Sequence, residues 1–366
     1  MMEGVEQRGP RLWRLTGHAA CAAALGDGEA VRKLPERALA AMAPGPFREH
    51  NAHTMTFMDP PHHGRVRRAL AAHFTPRALA ALQPLIVETA TGLALGLARR
   101  RRADFIAAFA ATLPIRVIAA ILGVAPSGEA RLRRCAAAVV AALEPDADAA
   151  ARAAGDAAIA ELAAFIGRTR RRPDGLLALL EASDALSADE ALHQAIFVLN
   201  AGHETTAFVL ARGAATLMAE PDARAALGDD PARWTQAADE LLRLHPPLQW
   251  LVRHTVAPLA MPGGELPAGA TLICDLAAAN RDARLFAAPE RFDPFRANAR
   301  QHLSFAAGRH TCLGAALARA EIATGLRILF RHLPALRPAA PLLLRRGGIF
   351  HGVRRMPVLT GGPDAA

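Results

Sequence analysis

The sequence predicts a mainly α-helical protein with a small β region, folded as a single domain over residues 1–366. Three observations carry this. Alanine supplies much of a 52% hydrophobic composition, and alanine is the strongest helix former. A charged share of 21% completes an ordinary globular balance and excludes a disordered chain. Proline and glycine punctuate the chain at helix-length intervals, with no internal repeat and no low-complexity linker to divide it.

The elements follow in order. Successive helices fit Val66 to about Thr169, separated at Pro76, Pro84, Pro114, Gly123-Val124-Ala125-Pro126 and Glu144-Pro145. A long helix begins at Ser187, where Ser187-Ala188-Asp189-Glu190 matches a capping box, and runs to Glu220 before Pro221 stops it. At ~1.5 Å per residue it is roughly 50 Å long, enough to cross the whole domain. Another helix fits Pro231 to Leu244 and closes at His245-Pro246-Pro247. Short β-like pieces follow around Leu251 to Val256 and Thr271 to Cys274. Arg281 to Thr311 is rich in turn residues, and a loop that long in a compact protein usually has a function. A last helix is expected from Leu313 to about Phe330.

Charge and cysteine content narrow the functional classes. Lys and Arg outnumber Asp and Glu by 43 to 34, a net charge of +9 that suits an acidic partner or an anionic ligand. The densest runs, Arg99 to Arg102 and Arg168 to Arg172, sit at helix ends where arginine caps carbonyls, and no nucleic-acid module accompanies them. The four cysteines are far apart, with no C-x-x-C pair, so a zinc knuckle or a disulfide framework is not expected. Reduced thiols point to the cytoplasm. Charges at Glu3, Glu6, Arg8 and Arg11 precede any apolar run, which spoils a signal peptide. The most apolar window, Phe105 to Val124, is broken by Pro114 and Arg116, so no membrane span is expected.

Chemistry concentrates at two places. Phe305-Ala306-Ala307-Gly308-Arg309-His310-Thr311-Cys312-Leu313-Gly314 puts a cysteine where the long loop meets a helix. Helix-terminal amides favour a thiolate there, and Gly308 and Gly314 clear space for a flat partner. Taken alone, such a cysteine is more often a buried structural thiol. In the middle of the long helix stands Ala201-Gly202-His203-Glu204-Thr205-Thr206, polar within an apolar setting of Ile196, Leu199, Val209 and Leu210. Ala201 and Gly202 offer a face nearly free of side chain, and a threonine there can bond back to a carbonyl and loosen the helical ladder.

The pattern Phe305-x-x-Gly308-x-His310-x-Cys312-x-Gly314 resembles the haem-binding signature of the cytochrome P450 family, and further motifs occur in that family's order over roughly Arg11 to Leu359. The resemblance implies a P450-like fold, with one haem b (iron protoporphyrin IX) per chain between the long helix and the cysteine-loop helix. Cys312 would be the proximal iron ligand, whose thiolate favours O–O cleavage of the co-substrate O2. Phe305, Gly308, His310, Gly314, Ala201 and Gly202 would surround the cofactor. Glu204 and Thr205 match the family's acid-alcohol pair, which implies a proton relay through Glu204 and water held by Thr205, a form of general acid catalysis. Thr206 and His203 have no such implied role.

Other motifs extend the match. Glu240-Leu241-Leu242-Arg243 resembles the family's Glu-x-x-Arg motif, and Pro289-Glu290-Arg291-Phe292 its arginine-bearing partner, implying a Glu240, Arg243 and Arg291 cluster that braces the cysteine loop. His63, Arg67, Arg253 and His310 match positions that hold the two haem propionates. Family position places Phe197, Asn200, Gln249, Trp250, Ile349 and Phe350 near a mostly apolar substrate space, with Asn200 and Gln249 able to bond one polar group. Two departures stand out: Ala283 follows Asn280-Arg281-Asp282 where proline is frequent, and only a short segment precedes Asp59, so the family's first strand and helix are expected to be partly missing.

The expected activity is a monooxygenase reaction on a small or medium apolar molecule: hydroxylation, epoxidation or dealkylation. Electrons would come from a separate ferredoxin or flavodoxin with an NAD(P)H-dependent reductase, docked near Arg65, Arg68 and Arg309 on a monomer. No nucleic acid or membrane partner is expected. The alternatives are a peroxygenase fed by hydrogen peroxide and a haem-binding sensor without turnover.

Overall fold

The computed structural model describes residues 2–124, 128–169, 172–346 and 348–361. The chain opens with a hairpin, β1 (Val5–Gly9) and β2 (Leu12–Leu15), then α1 (His18–Gly26), β3 (Val31–Arg32), α2 (Pro35–Ala40) and α3 (Pro46–His53). The expectation of a depleted start is therefore corrected: three strands and three α-helices precede Asp59. They are short and partly polar, so their own sequence gives little strand signal.

The helical body comprises α4 (His62–Ala71), α5 (Pro76–Ala98), β4 (Arg102–Asp104), a π-turn over Ile106–Ala110, α6 (Thr112–Leu122), α7 (Glu129–Ala142), α8 (Ala149–Arg168) and α9 (Leu176–Glu181). Pro76 opens α5 behind the cap Thr75, whereas Pro84, expected to separate two helices, lies inside it. Pro114 falls in the first turn of α6, where a missing N–H costs nothing. The loop residues 125 and 126 of the Gly123-to-Pro126 break lie outside the described residues, as do Arg170 and Arg171 of the second arginine run.

Next come α10 (Ala188–Ala219), α11 (Pro221–Leu227) and α12 (Pro231–Leu244). Both halves of the capping box form at the start of α10: the Ser187 hydroxyl accepts from the Glu190 N–H at 3.1 Å, and the Glu190 carboxylate accepts from the Ser187 N–H at 2.9 Å. After β5 (Trp250–Thr255), β6 (Leu259–Met261), β7 (Gly264–Leu266), β8 (Thr271–Asp275) and α13 (Leu276–Ala279), a long meander leads to α14 (Ala315–His332). The chain closes with β9 (Arg337–Pro338), β10 (Leu343–Arg346), β11 (His351–Arg355) and β12 (Pro357–Leu359).

The main sheet has the order β1-β2-β8-β5-β3. Strand β2 runs parallel to β8 with Leu12 opposite Thr271, and β3 pairs with β5 with Arg32 opposite His254. Sheet and helices meet through a core of Leu15, Cys21, Leu25, Leu272, Cys274 and Leu303. All four cysteines are free thiols, and although Cys21 and Cys274 are distant in sequence, the fold sets their side chains together.

Two larger apolar cores divide α10 between them. Its first half, with Ala191, Ala195, Ile196 and Leu199, packs in the core built by α6 to α9. Its second half, with Phe208, Leu210, Ala214 and Leu217, packs in the core shared with α5, α12 and α14. The polar stretch Asn200 to Thr206 belongs to neither, and the seam between the cores opens there into a cavity of about 320 Å³. Among the described residues α5 is the one helix long and apolar enough to cross a membrane; its Ile86, Ala90, Ala94 and Leu97 are buried in the protein core.

Candidate active site

The cavity lies between the middle of α10 and the cysteine loop. Ala201 and Cys312 are both exposed to it, although each sits deep in the molecule. The loop that presents Cys312 is tightly determined: the Cys312 N–H donates to the Phe305 carbonyl at 2.9 Å, and the Thr311 hydroxyl to the Gly308 carbonyl at 2.7 Å. Gly308 has φ +68°, and a Cβ there would stand 2.5 Å from the Leu25 carbonyl oxygen, so only glycine fits. The thiol opens onto the cavity yet is ringed by protein. Burial pushes its pKa up, against the downward pull of the Gly314 amide, Arg67 and Arg319.

The bracing of this loop differs from the sequence expectation in one residue. Glu240 and Arg243 are fully buried and paired at 2.7 and 2.8 Å. The second arginine on Glu240 is Arg296, at 3.0 and 3.1 Å, and not Arg291, whose side chain is exposed and which offers only its carbonyl. The Phe292-Asp293-Pro294-Phe295 turn carries the chain back under α12 five residues later, with the Asp293 N–H also donating to Glu240. From there the contacts reach the cysteine loop. Arg243 donates to the Asn280 carbonyl at 2.9 Å, and the Asn280 side chain accepts from the Leu303 N–H at 2.7 Å and donates to Ser304 at 2.8 Å. On the other flank Arg319 pairs with Asp239 at 2.5 Å and lies 4.7 Å over the Phe305 ring.

On the opposite wall, α10 runs without a break through the polar stretch. The Thr205 hydroxyl donates back to the Ala201 carbonyl at 2.8 Å. Glu204 faces the cavity and pairs with Arg345 of β10 at 3.2 Å. Burial raises its pKa, opposed by Arg345. Gly352, opposite Arg345 in the hairpin register, makes this pair possible: a Cβ there would meet the guanidinium at 2.9 Å. His203 is buried, its Nε2 on the Ala111 carbonyl at 3.1 Å, and burial lowers its pKa to about 4, so it is neutral near pH 7. Thr206 is buried and lines the cavity.

Beside Cys312 the cavity wall gathers His63, Arg67, Arg253 and His310. The His63 and His310 rings lie 4.1 Å apart. Burial drives the pKa of His63 down to about 4. Arg253 is 4% exposed and donates only to the Val252 carbonyl, with no carboxylate in hydrogen-bond reach among the described residues. Buried cations without anions need a ligand that brings them. Lys33 joins this group, a residue the sequence reading missed: the β3–β5 pairing sets it beside Arg253, and burial followed by that charge lowers its pKa to about 7. A flat ligand with two carboxylates and a metal open to one thiolate fits these groups.

Phe197, Asn200 and Phe350 line the cavity. Gln249, Trp250 and Ile349 do not, which corrects three expected substrate contacts. The Gln249 amide turns back to donate to the Pro246 carbonyl at 2.7 Å, and the Ile349 N–H is tied to Glu144 at 2.7 Å. Trp250 opens β5 opposite Asp275. With the period of two in extended chain, a placement one residue off exchanges inside for outside, and the Leu248–Phe350 bridge turns those two inward.

Comparison with known proteins agrees with this geometry. A family model described as Cytochrome P450 matches residues 234–336. The chain is 36% identical to vitamin D(3) 25-hydroxylase of Pseudonocardia autotrophica over 85% of this chain and 79% of that protein. The chain is a cytochrome P450. It is also 34% identical to the mycinamicin IV hydroxylase/epoxidase of Micromonospora griseorubida, over 96% of this chain and 90% of the relative. Among solved structures, the tirandamycin C-bound P450 monooxygenase TamI superposes with a TM-score of 0.84 at 32% identity, covering 98% of this chain and 92% of that one. P450BioI, solved with a fatty-acyl-loaded acyl carrier protein, superposes with a TM-score of 0.88 at 26% identity over 98% and 96%. This P450 is therefore a monooxygenase whose cofactor is haem b and whose co-substrate is O2.

Proposed function

We propose that this P450 oxidises a small or medium, largely apolar molecule, with Cys312 as the iron ligand and Glu204 and Thr205 as its proton-handling pair. The observation that carries the reading is the placement of those two side chains on the cavity face of α10, across from the one thiol open to the same cavity. When bound, the haem supplies oxygen activation at an electron-rich iron. His63, Arg67, Arg253 and His310, joined by Lys33, hold its carboxylates by charge-assisted hydrogen bonds. The Glu204 carboxylate, held by Arg345 at 3.2 Å and facing the cavity, passes protons to it, and burial shifts its pKa upward, the direction that favours taking a proton up. The Thr205 hydroxyl, anchored on the Ala201 carbonyl, orients the water that receives it. Apolar walls that include Phe197, Ile118 and Phe350 exclude other water.

Electrons come from a separate ferredoxin or flavodoxin with its NAD(P)H-dependent reductase, the protein working as a cytoplasmic monomer. A shallow surface concavity lined by Pro60, Gly64, Arg67, Arg68 and Arg309 on the cysteine side supports that docking face. Arg65 does not belong to it, because its guanidinium is spent on Glu190 and the Ala185 carbonyl. The test is NADH-driven product formation with a ferredoxin and reductase, compared with hydrogen peroxide alone. Faster turnover with peroxide would replace this reading by the peroxygenase one, and no turnover with either by the sensor.

A further inference from the structure

We infer that the substrate carries, close to the carbon that is oxidised, a neutral group that both donates and accepts hydrogen bonds, an alcohol or an amide, and that Asn200 holds it. This rests on the monooxygenase reading above and narrows its substrate. Asn200 is 7% exposed, lines the cavity, and has no partner among the described residues for either Oδ1 or Nδ2. Buried amides in folded proteins are almost always paired, so two orphaned atoms on one side chain mark a site where a ligand supplies the partners. The side chain offers one acceptor and one donor group together, and a single alcohol or amide satisfies both.

Its position sets the rest. Asn200 lies on the stripe His193, Phe197, Asn200, Glu204, spaced at helical intervals along one side of α10. It immediately precedes Ala201, whose carbonyl anchors Thr205. The bonded group is thus held within about one helical turn, ~5 Å, of the proton-handling pair, and the oxidised carbon is only a few bonds away from it. A carboxylate or phosphate is disfavoured there. The cavity's cations Lys33, Arg67 and Arg253 gather on the cysteine side, Arg345 is occupied by Glu204, and Glu204 itself stands one turn from Asn200. His50, the imidazole further along this wall, is kept neutral because burial lowers its pKa to about 3.

The test uses the haem-loaded protein and its Asn200→Leu variant, with 1-adamantanol, 1-adamantanecarboxamide, 1-adamantanecarboxylate and adamantane as probes, binding being read by calorimetry without electron donors. The alcohol and the amide are expected to bind at least about tenfold more weakly to the variant, adamantane equally well to both, and the carboxylate poorly to both. Equal binding of alcohol and amide to the two proteins, or tightest binding of the carboxylate, overturns the inference. Thermal unfolding gives an independent check. Replacing an orphaned amide by leucine leaves the substrate-free protein at least as stable, and a fall of several degrees would show that Asn200 is a structural residue instead. The monooxygenase reading fails separately, by absence of NADH-driven oxidation in the wild type, and leaves these binding ratios readable.

Discussion

Replacing Arg296 by alanine is expected to destabilise the protein far more than the same change at Arg291. Arg296 is 8% exposed and donates to both oxygens of a fully buried Glu240, and to the Ala287 carbonyl at 2.7 Å, the Arg291 carbonyl at 3.2 Å and the Ala288 carbonyl at 3.3 Å. Truncation removes one of the three residues that donate to the buried carboxylate, leaving Arg243 and the Asp293 N–H, and takes the guanidinium away from the Ala287 carbonyl. Breaking a buried pair from one side costs about 3–5 kcal/mol. With an unfolding entropy of about 2.1 cal/mol/K per residue, a chain of 366 residues converts that into a fall in Tm of about 4–7 °C. Arg291→Ala removes an exposed side chain and stays within about 0.5 kcal/mol, under about 1 °C. Scanning calorimetry of the haem-loaded proteins reads both, and haem retention during dialysis reads the connection from Arg243 through Asn280 to the cysteine loop. Equal losses at the two arginines, or a larger one at Arg291, would refute this account of the bracing.

Three further outcomes are expected. Cys312→Ser abolishes the long-wavelength absorption of the reduced, carbon monoxide-bound protein while leaving α-helical circular dichroism unchanged; a retained band would place the ligand elsewhere. Thr205→Ala keeps that band and lowers product formed per NADH by about tenfold or more, with the electrons recovered as peroxide, a loss in the range of general acid catalysis. Glu321, whose Oε2 is buried without a partner among the described residues, has its pKa pushed up to about 8 by burial. Between the usual carboxylate range and pH 8 the unfolded chain releases this proton and the folded chain keeps it, so stability falls with rising pH by about 1.4 kcal/mol per unit. Glu321→Gln removes that slope, and melting curves from pH 5 to 8 that remain parallel to wild type would contradict it.

The strongest sequence signals were local ones. The capping box at Ser187 and Glu190 marks the start of α10, and the proline pair after Leu244 marks the end of α12, because each is written in adjacent residues. The polar island in α10 and the glycine-flanked cysteine were visible for the same reason, as residues that conflict with their surroundings. What escaped depends on partners far away in sequence. Strand β2 is seated on β8, far along the chain, and the β3–β5 pairing sets Lys33 beside Arg253. The second arginine on Glu240 is chosen by how the meander folds back, so a motif match landed five residues short, at Arg291. At Gln249 and Ile349 the residue neighbourhood was right, yet the side chains turned away, which only the register with β11 and its preceding turn decides.

The parallel pairing of β2 with β8 has a consequence for synthesis. Leu12 is translated roughly 260 residues before its partner Thr271, and at about 5–20 residues per second the hairpin waits on the order of 13–50 s for the strand that covers it. Throughout that interval Leu12, Trp13 and Leu15 present an unpaired edge to the crowded surroundings of the ribosome. The nascent chain is thus vulnerable at this hairpin, and a message cut short before the codon for Thr271 would release a polypeptide in which β2 has nothing to close against.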